Sequence, residues 1–326
     1  MQADLPPHVD LAWRDPDLER AARALVVGDI APALALLARE VPPDLRDLRV
    51  EVLGQAGQEV LVDLDVAAED DPDRLLLLGS ALNAAAWWAR GALYAGQTGD
   101  ARVERFLDLS GRARDALTRA AAAAPADAAP WSALMSCALG APEREGEGGE
   151  VFAGVVARVP DLVSAHERRL QGLAAKWYGS HEQMLDFARV RVADLPNGHP
   201  LLALVPAAHI EVHLHDSSAP GAIRRWRAMD YPGRRVVRAE VAAASDRLSA
   251  AGGAERAHAR WIRANQVFAA YYNSVADVAG LRPEDVDRLA RHVAEAGERP
   301  ARWPWGYFGD HHAAFEKARR LAAGAR

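Results

Sequence analysis

Apolar residues recur at spacings of three and four along almost the whole chain, which is the period of an amphipathic helix. Leu18, Ala21 and Leu25 show this spacing near the start, and Leu185 and Ala188 show it later. No Asn-Gly or Asp-Gly pair lies between two alternating apolar runs, so no β-hairpin is indicated. The pattern predicts an all-α fold.

Four prolines follow apolar-periodic helices at a nearly constant interval. They are Pro125, Pro160, Pro196 and Pro232, so the intervals are 35, 36 and 36 residues. Because proline cannot continue a helix, each one marks the start of a new unit. Units of about 34 residues with two helices each are typical of tetratricopeptide repeats. The sequence therefore predicts stacked helical hairpins, an α-solenoid, whose degenerate repeats are clearest over 94–232.

The predicted domain organisation is a helical-repeat region over 1–232 and a helical C-terminal extension over 233–326. The extension is expected to cap the stack, so that the two parts form one continuous domain. Residues 50–67 include β-branched positions but are still assigned to helix. The predicted helices cover 17–42 in two parts, 74–94, 102–124, 128–139, 146–159, 162–178, 181–195, 199–215, 219–231, 234–251, 254–279, 284–296 and 310–323.

Four stretches resemble a known group of proteins. In order they are AAAWWARG (84–91), PADAAPWSALM (125–135), AKWYGSHEQMLDFAR (175–189) and AAHIE (207–211). Together they are similar to uncharacterised actinobacterial tetratricopeptide-like helical-repeat proteins, over roughly residues 70–215. The resemblance implies a tetratricopeptide-like fold and carries no known activity.

The stretch 175–189 concentrates polar and aromatic side chains at a helix corner. Gly179 is placed to end one helix, and Ser180 with Gln183 forms the Ser-x-x-Gln pattern that caps the next. The candidate binding residues Trp177 and Tyr178 are expected to pack the corner. The remaining polar side chains have no evident packing role and are candidate catalytic residues: Lys176, His181 and Glu182.

Two histidines of HIEVHLH (209–215) are spaced to share a helix face. His209 and His213 are four residues apart, and the 36-residue interval places His213 level with the 175–189 corner. His209 is therefore a fourth candidate catalytic residue, and His213 is a candidate for binding. No cofactor or metal is expected. The chain has two His-Glu pairs, His166-Glu167 and His181-Glu182, and neither continues to the His-Glu-x-x-His zinc motif. If a divalent transition metal does bind, the candidate ligands are His181, His209 and His213.

Two further segments are candidate binding surfaces. IRRWRAMDYPGRRVVR (223–238) is locally basic, and its Arg224, Arg225 and Trp226 could receive a carboxylate or phosphate or form a solvated face. RWPWGYFGDHH (302–312) is rich in aromatic residues. It is expected either to seal one end of the helical stack or to act as a lid or docking element.

Net charge, cysteine content and the lack of long apolar runs limit the expected partners, disulfides and location of the protein. The formal net charge is −6, which argues against nucleic acid as the main partner. The single cysteine, Cys137, excludes an intramolecular disulfide and is expected to be buried and inert. No secretory signal or membrane-spanning run is recognised, so the expected location is cytoplasmic.

Two hypotheses for the function follow. The first is a helical-repeat binding module that recognises a peptide or partner protein in its concave groove. The second is an enzyme dependent on a metal or acting on a small molecule, with a pocket at the corner formed by 176–182 and 209–213. The first is favoured because no complete catalytic constellation is visible in the sequence.

Overall fold

Most of the residues that the computed structural model describes are in helices. The described residues are 15–63, 70–91, 99–139, 146–177, 179–218, 228–250 and 259–324. Within these ranges there is no strand, so the predicted all-α class is confirmed. Contacts divide the chain into two compact units, Met1–Arg169 and Leu170–Arg326. The division into 1–232 and 233–326 within one continuous domain stays a prediction.

The first unit contains seven complete described helices, and an eighth crosses its boundary. The bounds are α1 Pro16–Val26, α2 Ala31–Leu37, α3 Pro43–Gly57, α4 Pro72–Arg90, α5 Asp100–Ala123, α6 Ala129–Leu139, α7 Glu147–Val156 and α8 Val163–Gly172. Helices α1, α3 and α4 each begin at a proline, whose fixed φ and missing N–H suit the first helical position. Gly28 has a φ of +91° and turns the chain between α1 and α2.

Helices α4 and α5 pack against each other in antiparallel directions. The rings of Trp87 and Phe106 meet edge to face with centroids 5.2 Å apart. Two turns further back along α4, a Cβ on Gly79 would lie 2.7 Å from the Leu117 side chain. The contact earlier in α4, at Gly79, is made with the residue later in α5, Leu117, so the two helices run in opposite directions. Gly79 has no side chain and therefore lets the helices approach closely at this point.

Buried polar side chains tie α3 to later helices of the first unit. The Ser164 hydroxyl of α8 donates to Asp47 of α3, and the Ser132 hydroxyl of α6 lies 3.3 Å from that of Ser164. All three residues are almost completely buried. Since four helices separate α3 from α8 along the chain, these bonds fix a long-range contact within the unit.

The second unit contains seven further α-helices among the described residues. They are α9 His181–Val192, α10 Leu204–Ser218, α11 Arg235–Ser249, α12 Ala259–Val278, α13 Pro283–Glu295, α14 Arg302–Trp305 and α15 His311–Ala323. Short 3-10 helices cover Pro200–Ala203, Tyr231–Gly233 and Gly306–Phe308. No described helix in either unit is both long and apolar enough to cross a membrane.

Helix α12 forms the centre of the second unit's core. Its large side chains Trp261, Phe268, Tyr271 and Tyr272 are all at most 1% exposed. The Tyr271 hydroxyl satisfies its hydrogen-bonding capacity by donating to the Pro232 carbonyl oxygen at 2.7 Å. Apolar residues on all sides of one helix are typical of a helix that is covered on all sides.

The aromatic segment 302–312 packs into the second unit. Trp305 is completely buried, and its ring meets that of Phe315 in α15 with centroids 5.3 Å apart. Burying a tryptophan removes a large apolar area from water and contributes about 2–3 kcal/mol to stability. The segment therefore packs into the core of this unit, and its role in sealing the end of a helical stack stays a prediction.

Most helix ends lie close to their predicted positions. Helices α5, α7 and α9 end two to four residues before Pro125, Pro160 and Pro196, as the proline interval predicts. The helix predicted over 162–178 is shorter than expected and ends at Gly172. Residues 173–177 instead form turns. The second half of 50–67 is likewise not helical where it is described, because α3 ends at Gly57.

Candidate functional site

The corner between α8 and α9 has the end chemistry that the sequence predicts. Ser180 is the N-cap of α9, and its hydroxyl accepts a hydrogen bond from the Gln183 backbone N–H at 3.2 Å. Gly179 passes so close to the preceding turn that an added Cβ would lie 2.1 Å from the Leu173 carbonyl oxygen. The corner therefore requires glycine at 179 and positions the first residue of α9, His181.

Replacing Gly179 with alanine should destabilise the protein. Its Cβ would collide with backbone atoms of Leu173, which cannot rotate away, so we expect a loss of about 2 kcal/mol or more in the free energy of unfolding. Urea denaturation measures the loss. Gly111→Ala is the matched control, because a Cβ there meets nothing within 4 Å on a helix and should be neutral or mildly stabilising. Equal stabilities for the two variants would contradict the expectation.

Lys176 is held by a buried carboxylate of α10. Its Nζ donates to Glu211 Oε2 at 2.6 Å and to the Tyr307 hydroxyl at 3.1 Å. The Tyr307 hydroxyl and Gln171 Nε2 donate to the other carboxylate oxygen, Glu211 Oε1, at 2.6 and 2.7 Å. Only 3% of the Glu211 side chain is exposed. The Glu211 charge is therefore neutralised and hydrogen-bonded on both oxygens, as a buried carboxylate requires.

This cluster, the Glu211 network, joins three parts of the second unit. It connects the turn after α8, helix α10 and the 3-10 helix Gly306–Phe308. Burial, and next the Glu211 charge, raise the pKa of the Tyr307 phenol well above its usual value. Tyr307 therefore stays protonated and acts as a donor. The ion pair between Lys176 and Glu211, at 2.6 Å, stabilises the packing of these three segments.

His181 lies in a second cluster, with two residues at the end of α10. Its Nε2 is 3.0 Å from Asp216 Oδ1, and His215 Nδ1 is 3.3 Å from the same oxygen. The two imidazole rings meet edge to face with centroids 5.0 Å apart. Each of the three side chains is 28–29% exposed. We call this set the His181 cluster.

The carboxylate of the His181 cluster is negatively charged at neutral pH. Burial raises the pKa of Asp216, but the hydrogen bonds from His181 and His215 outweigh that effect, so its pKa lies below the usual value. Two imidazoles and one carboxylate therefore face each other in a partly exposed position, which is a ligand set that transition metals accept.

His209 belongs to a third cluster. Its Nε2 lies 3.2 Å from Glu240 Oε2, and its Nδ1 lies 2.8 Å from the Tyr231 hydroxyl. Arg189 of α9 donates to both oxygens of Glu240, at 2.8 and 3.0 Å. Hydrogen bonds from His209 and Arg189 lower the pKa of Glu240 to about 2. Burial raises the pKa of Tyr231 to about 12. Both ring nitrogens of the buried His209 therefore make hydrogen bonds with neighbouring side chains of the unit.

The remaining candidate residues are spread over different surroundings. His213 Nδ1 lies 3.1 Å from the Ala228 carbonyl oxygen, and burial lowers the pKa of this histidine. Glu182 is exposed in the first turn of α9, and Trp177 is half-buried. Four candidate binding residues lie outside the described part of the chain: Tyr178, Arg224, Arg225 and Trp226.

The structure gives Lys176, His181 and His209 three different sets of partners. Lys176 binds Glu211, which lies two residues after His209 in α10. Asp216 and Tyr307 were not singled out at all. The sequence did contain a signal for Glu211 and Asp216. Each lies 35 residues after its partner, Lys176 or His181, and this separation is close to the interval between the prolines.

A buried Ser-His-Asn arrangement also escaped the sequence analysis. Ser245 Oγ lies 2.7 Å from His292 Nε2, and His292 Nδ1 lies 2.8 Å from Asn265 Oδ1. The order of groups is that of a nucleophile, a base and an orienting residue. The side chains are nevertheless 0%, 0% and 2% exposed, so a substrate cannot reach the hydroxyl. The arrangement satisfies buried polar groups between α11, α12 and α13.

The predicted burial of Cys137 is confirmed. It is 1% exposed, and burial raises the pKa of its thiol to about 12. The thiolate, which is the reactive form, is therefore scarce at neutral pH.

Comparison of this chain with protein-family models, curated proteins and solved structures found no match.

Proposed function

We propose that this protein is a helical-repeat binding module that recognises an amphipathic helix of a partner protein. One observation carries the proposal: α5 presents Val103 and Leu107 to solvent, 37% and 48% exposed, and α4 presents Trp88, 55% exposed, at the same end of the helix pair. Large apolar side chains grouped on one surface mark interaction sites more often than single exposed ones do.

The exposed residues of α5 form a line along the helix. Val103, Leu107 and Gly111 follow at intervals of four, so they share one face over about 12 Å at 1.5 Å per residue. A Cβ on Gly111 would meet nothing within 4 Å, so a neighbouring backbone can approach closely there. We call Trp88, Val103, Leu107 and Gly111 the α5 apolar surface.

The α5 apolar surface rests on a firmly packed pair of helices. Phe106 and Leu109 lie between the exposed positions in the sequence of α5, and they are buried, at 5% and 2% exposed. Phe106 also contacts Trp87, the neighbour of Trp88, which places Trp88 at the same end of the pair. Because two packed helices already hold this surface in place, it loses little conformational entropy when a partner binds.

The spacing and charge of this surface favour a helical partner segment. Apolar positions four apart form a ridge that fits the groove of another helix. Its rim carries both charge signs, with Arg102 and Arg105 beside Glu104 and Asp108, all of them exposed. A mixed rim matches the charged edges of an amphipathic helix better than the uniformly negative backbone of a nucleic acid.

Further support for the repeat character comes from side-chain pairs at one repeat interval. Within the first unit, Arg168 donates to the Ser132 carbonyl oxygen 36 residues earlier, at 3.2 Å. Within the second, Lys176 and His181 bind residues 35 positions later. We propose that these pairs reflect stacked tetratricopeptide-like hairpins, the architecture that gives helical-repeat proteins a concave binding groove.

A photo-crosslinking experiment tests the proposed surface. The full-length chain carries p-benzoylphenylalanine at position 107 or, as the matched control, at Val190, which is 72% exposed on α9. We expect position 107 to crosslink to a partner protein within a helical segment, and position 190 not to do so. Adding Val103→Glu should reduce that crosslinking at least about tenfold, because a charge then enters the apolar contact.

Several results would overturn this proposal. They are no crosslink from position 107, the same product from positions 107 and 190, a product made of two copies of this chain, or full crosslinking in the Val103→Glu background. Circular dichroism of each variant shows that the helices are intact, since positions 103 and 107 are exposed and tolerate substitution.

The alternative of an enzyme pocket formed by 176–182 and 209–213 stays a prediction. The structure gives Lys176 and His209 separate partners, so we do not propose a shared catalytic centre for them. Among the described residues, only the His181 cluster has the partial exposure and the ligand types that a metal-dependent function requires.

A further inference from the structure

The three side chains of the His181 cluster converge on a small volume. One ligand atom from each of His181, His215 and Asp216 can be chosen so that all three lie within 4.8 Å of one another. The two contacts to Asp216 Oδ1 are 3.0 Å from His181 Nε2 and 3.3 Å from His215 Nδ1. No other group of this kind occurs among the residues that the structure describes.

These separations match those between atoms bound to one metal ion. Zinc holds histidine nitrogens and carboxylate oxygens at about 2.0–2.1 Å with tetrahedral angles, which places two ligand atoms about 3.4 Å apart. A cation could therefore enter between the three atoms with small side-chain movements.

We propose that His181 Nε2, His215 Nδ1 and Asp216 Oδ1 bind a divalent transition-metal ion. Two imidazoles and one carboxylate favour zinc or ferrous iron over calcium and magnesium, which take oxygen ligands. The side chains are partly exposed, so water fills the remaining coordination position. Three protein ligands and one water are typical of metal sites that are open to a substrate or a further ligand.

The positions of the ligands in their helices suit this role. His215 and Asp216 lie in the last turns of α10, whose C-terminal end carries partial negative charge and attracts a cation. His181 is the first residue of α9, fixed by the Ser180 cap.

Metal binding requires one proton to move on each histidine of the His181 cluster. The Nε2–H of His181 and the Nδ1–H of His215 both donate to Asp216 Oδ1, so each proton must leave its nitrogen before that nitrogen can bind the ion. The Nδ1 atom of His181 has no hydrogen-bond partner among the described residues, so the His181 proton can move to it, and the His215 proton can move to the other nitrogen of its own ring, Nε2. The ion then replaces both hydrogen bonds to Asp216, with no net change in the charges of the three side chains.

Metal titration of the untagged full-length chain tests the site. After removal of metal with a chelator, we expect one equivalent of Zn²⁺ to bind with a Kd of about 10 μM or tighter and to raise the melting temperature. Co²⁺ should bind the same site with the visible absorption of four-coordinate cobalt. His181→Ala and Asp216→Asn should each weaken binding by at least about a hundredfold, because the first removes a ligand and the second replaces a charged carboxylate oxygen with a neutral amide oxygen.

The adjacent pair His311 and His312 provides the matched control. Their rings lie 4.3 Å apart on α15, so this pair is the natural place for adventitious metal binding. The double variant His311→Ala/His312→Ala should bind Zn²⁺ as the unmodified chain does. Asp216→Asn keeps the shape and the Oδ1 acceptor of the side chain, so it separates the loss of the carboxylate charge from a disturbed fold.

Three outcomes would overturn the proposal. The first is a Kd for Zn²⁺ weaker than about 100 μM. The second is unchanged affinity in His181→Ala or Asp216→Asn when circular dichroism shows both to be folded. The third is loss of binding in the His311→Ala/His312→Ala variant.

Discussion

Replacing Asp285 with alanine should lower the free energy of unfolding by about 3–5 kcal/mol, because it leaves a buried arginine without its counter-charge. Asp285 pairs with Arg238 of α11, and the two side chains are 5% and 7% exposed. Arg238 would keep only the carbonyl oxygens of Gly233 and Gly280, at 2.9 and 2.7 Å. Urea denaturation measures the loss.

A double variant separates the charge effect from the loss of side-chain volume. Arg238→Met/Asp285→Leu removes both charges and keeps apolar bulk, so it should be more stable than Asp285→Ala although it carries two substitutions. Asp287→Ala, an exposed position on the same helix, should change stability by less than about 0.5 kcal/mol. A double variant as unstable as Asp285→Ala would show that the buried charge is not the cause.

The second large effect concerns pH and His292. This side chain is completely buried, and burial, followed by the nearby Arg291 charge, lowers its pKa to about 3. Its Nδ1–H donates to Asn265, and its Nε2 accepts from Ser245, so both bonds are made by the neutral ring. Its ring also stacks on Phe268, with centroids 4.6 Å apart. Protonation would disrupt the bond with Ser245.

The lowered pKa makes stability fall as the solution becomes more acidic. Below about pH 6.5 the unfolded chain binds a proton at His292 that the folded chain cannot accept until about pH 3. Between these limits, this residue alone lowers the free energy of unfolding by up to about 1.4 kcal/mol for each pH unit of acidification. Its contribution is therefore greatest at neutral pH and is lost on the acidic side.

His292→Gln should remove that dependence. We expect the variant to be less stable than the unmodified chain at pH 7, because glutamine loses the ring stack on Phe268, and the difference should shrink between pH 6.5 and pH 4. Urea denaturation at half-unit pH steps follows the difference. His312→Gln removes an exposed histidine and should run parallel to the unmodified chain. Parallel curves for His292→Gln as well would contradict the interpretation.

The helices were predictable because their signals are local. Apolar spacing and the prolines after α5, α7 and α9 depend only on neighbouring residues, so those ends fall within a few positions of the prediction. The error at α8 has a physical reason. The Gly179 signal was taken as the end of that helix, whereas the chain turns from residue 173 and Gly179 is needed for its contact with Leu173.

The partners of the polar residues were harder to predict, because they depend on how distant helices pack. His181 was singled out on the sequence as a polar residue without an evident packing role, and its neighbours were expected at 209 and 213. The structure places it beside His215 and Asp216 instead. A shift of two or three positions along a helix changes the exposed face by roughly 200–300°. Sequence spacing alone does not determine that rotation.

The bond between Tyr307 and Glu211 has a consequence for how the protein is made. The two residues are 96 positions apart. During synthesis, Glu211 leaves the ribosome long before the hydroxyl that completes its hydrogen bonds. The second unit can therefore reach its final packing only after residue 307 has been synthesised, and a chain that stops short of this residue has an incompletely bonded carboxylate in its core.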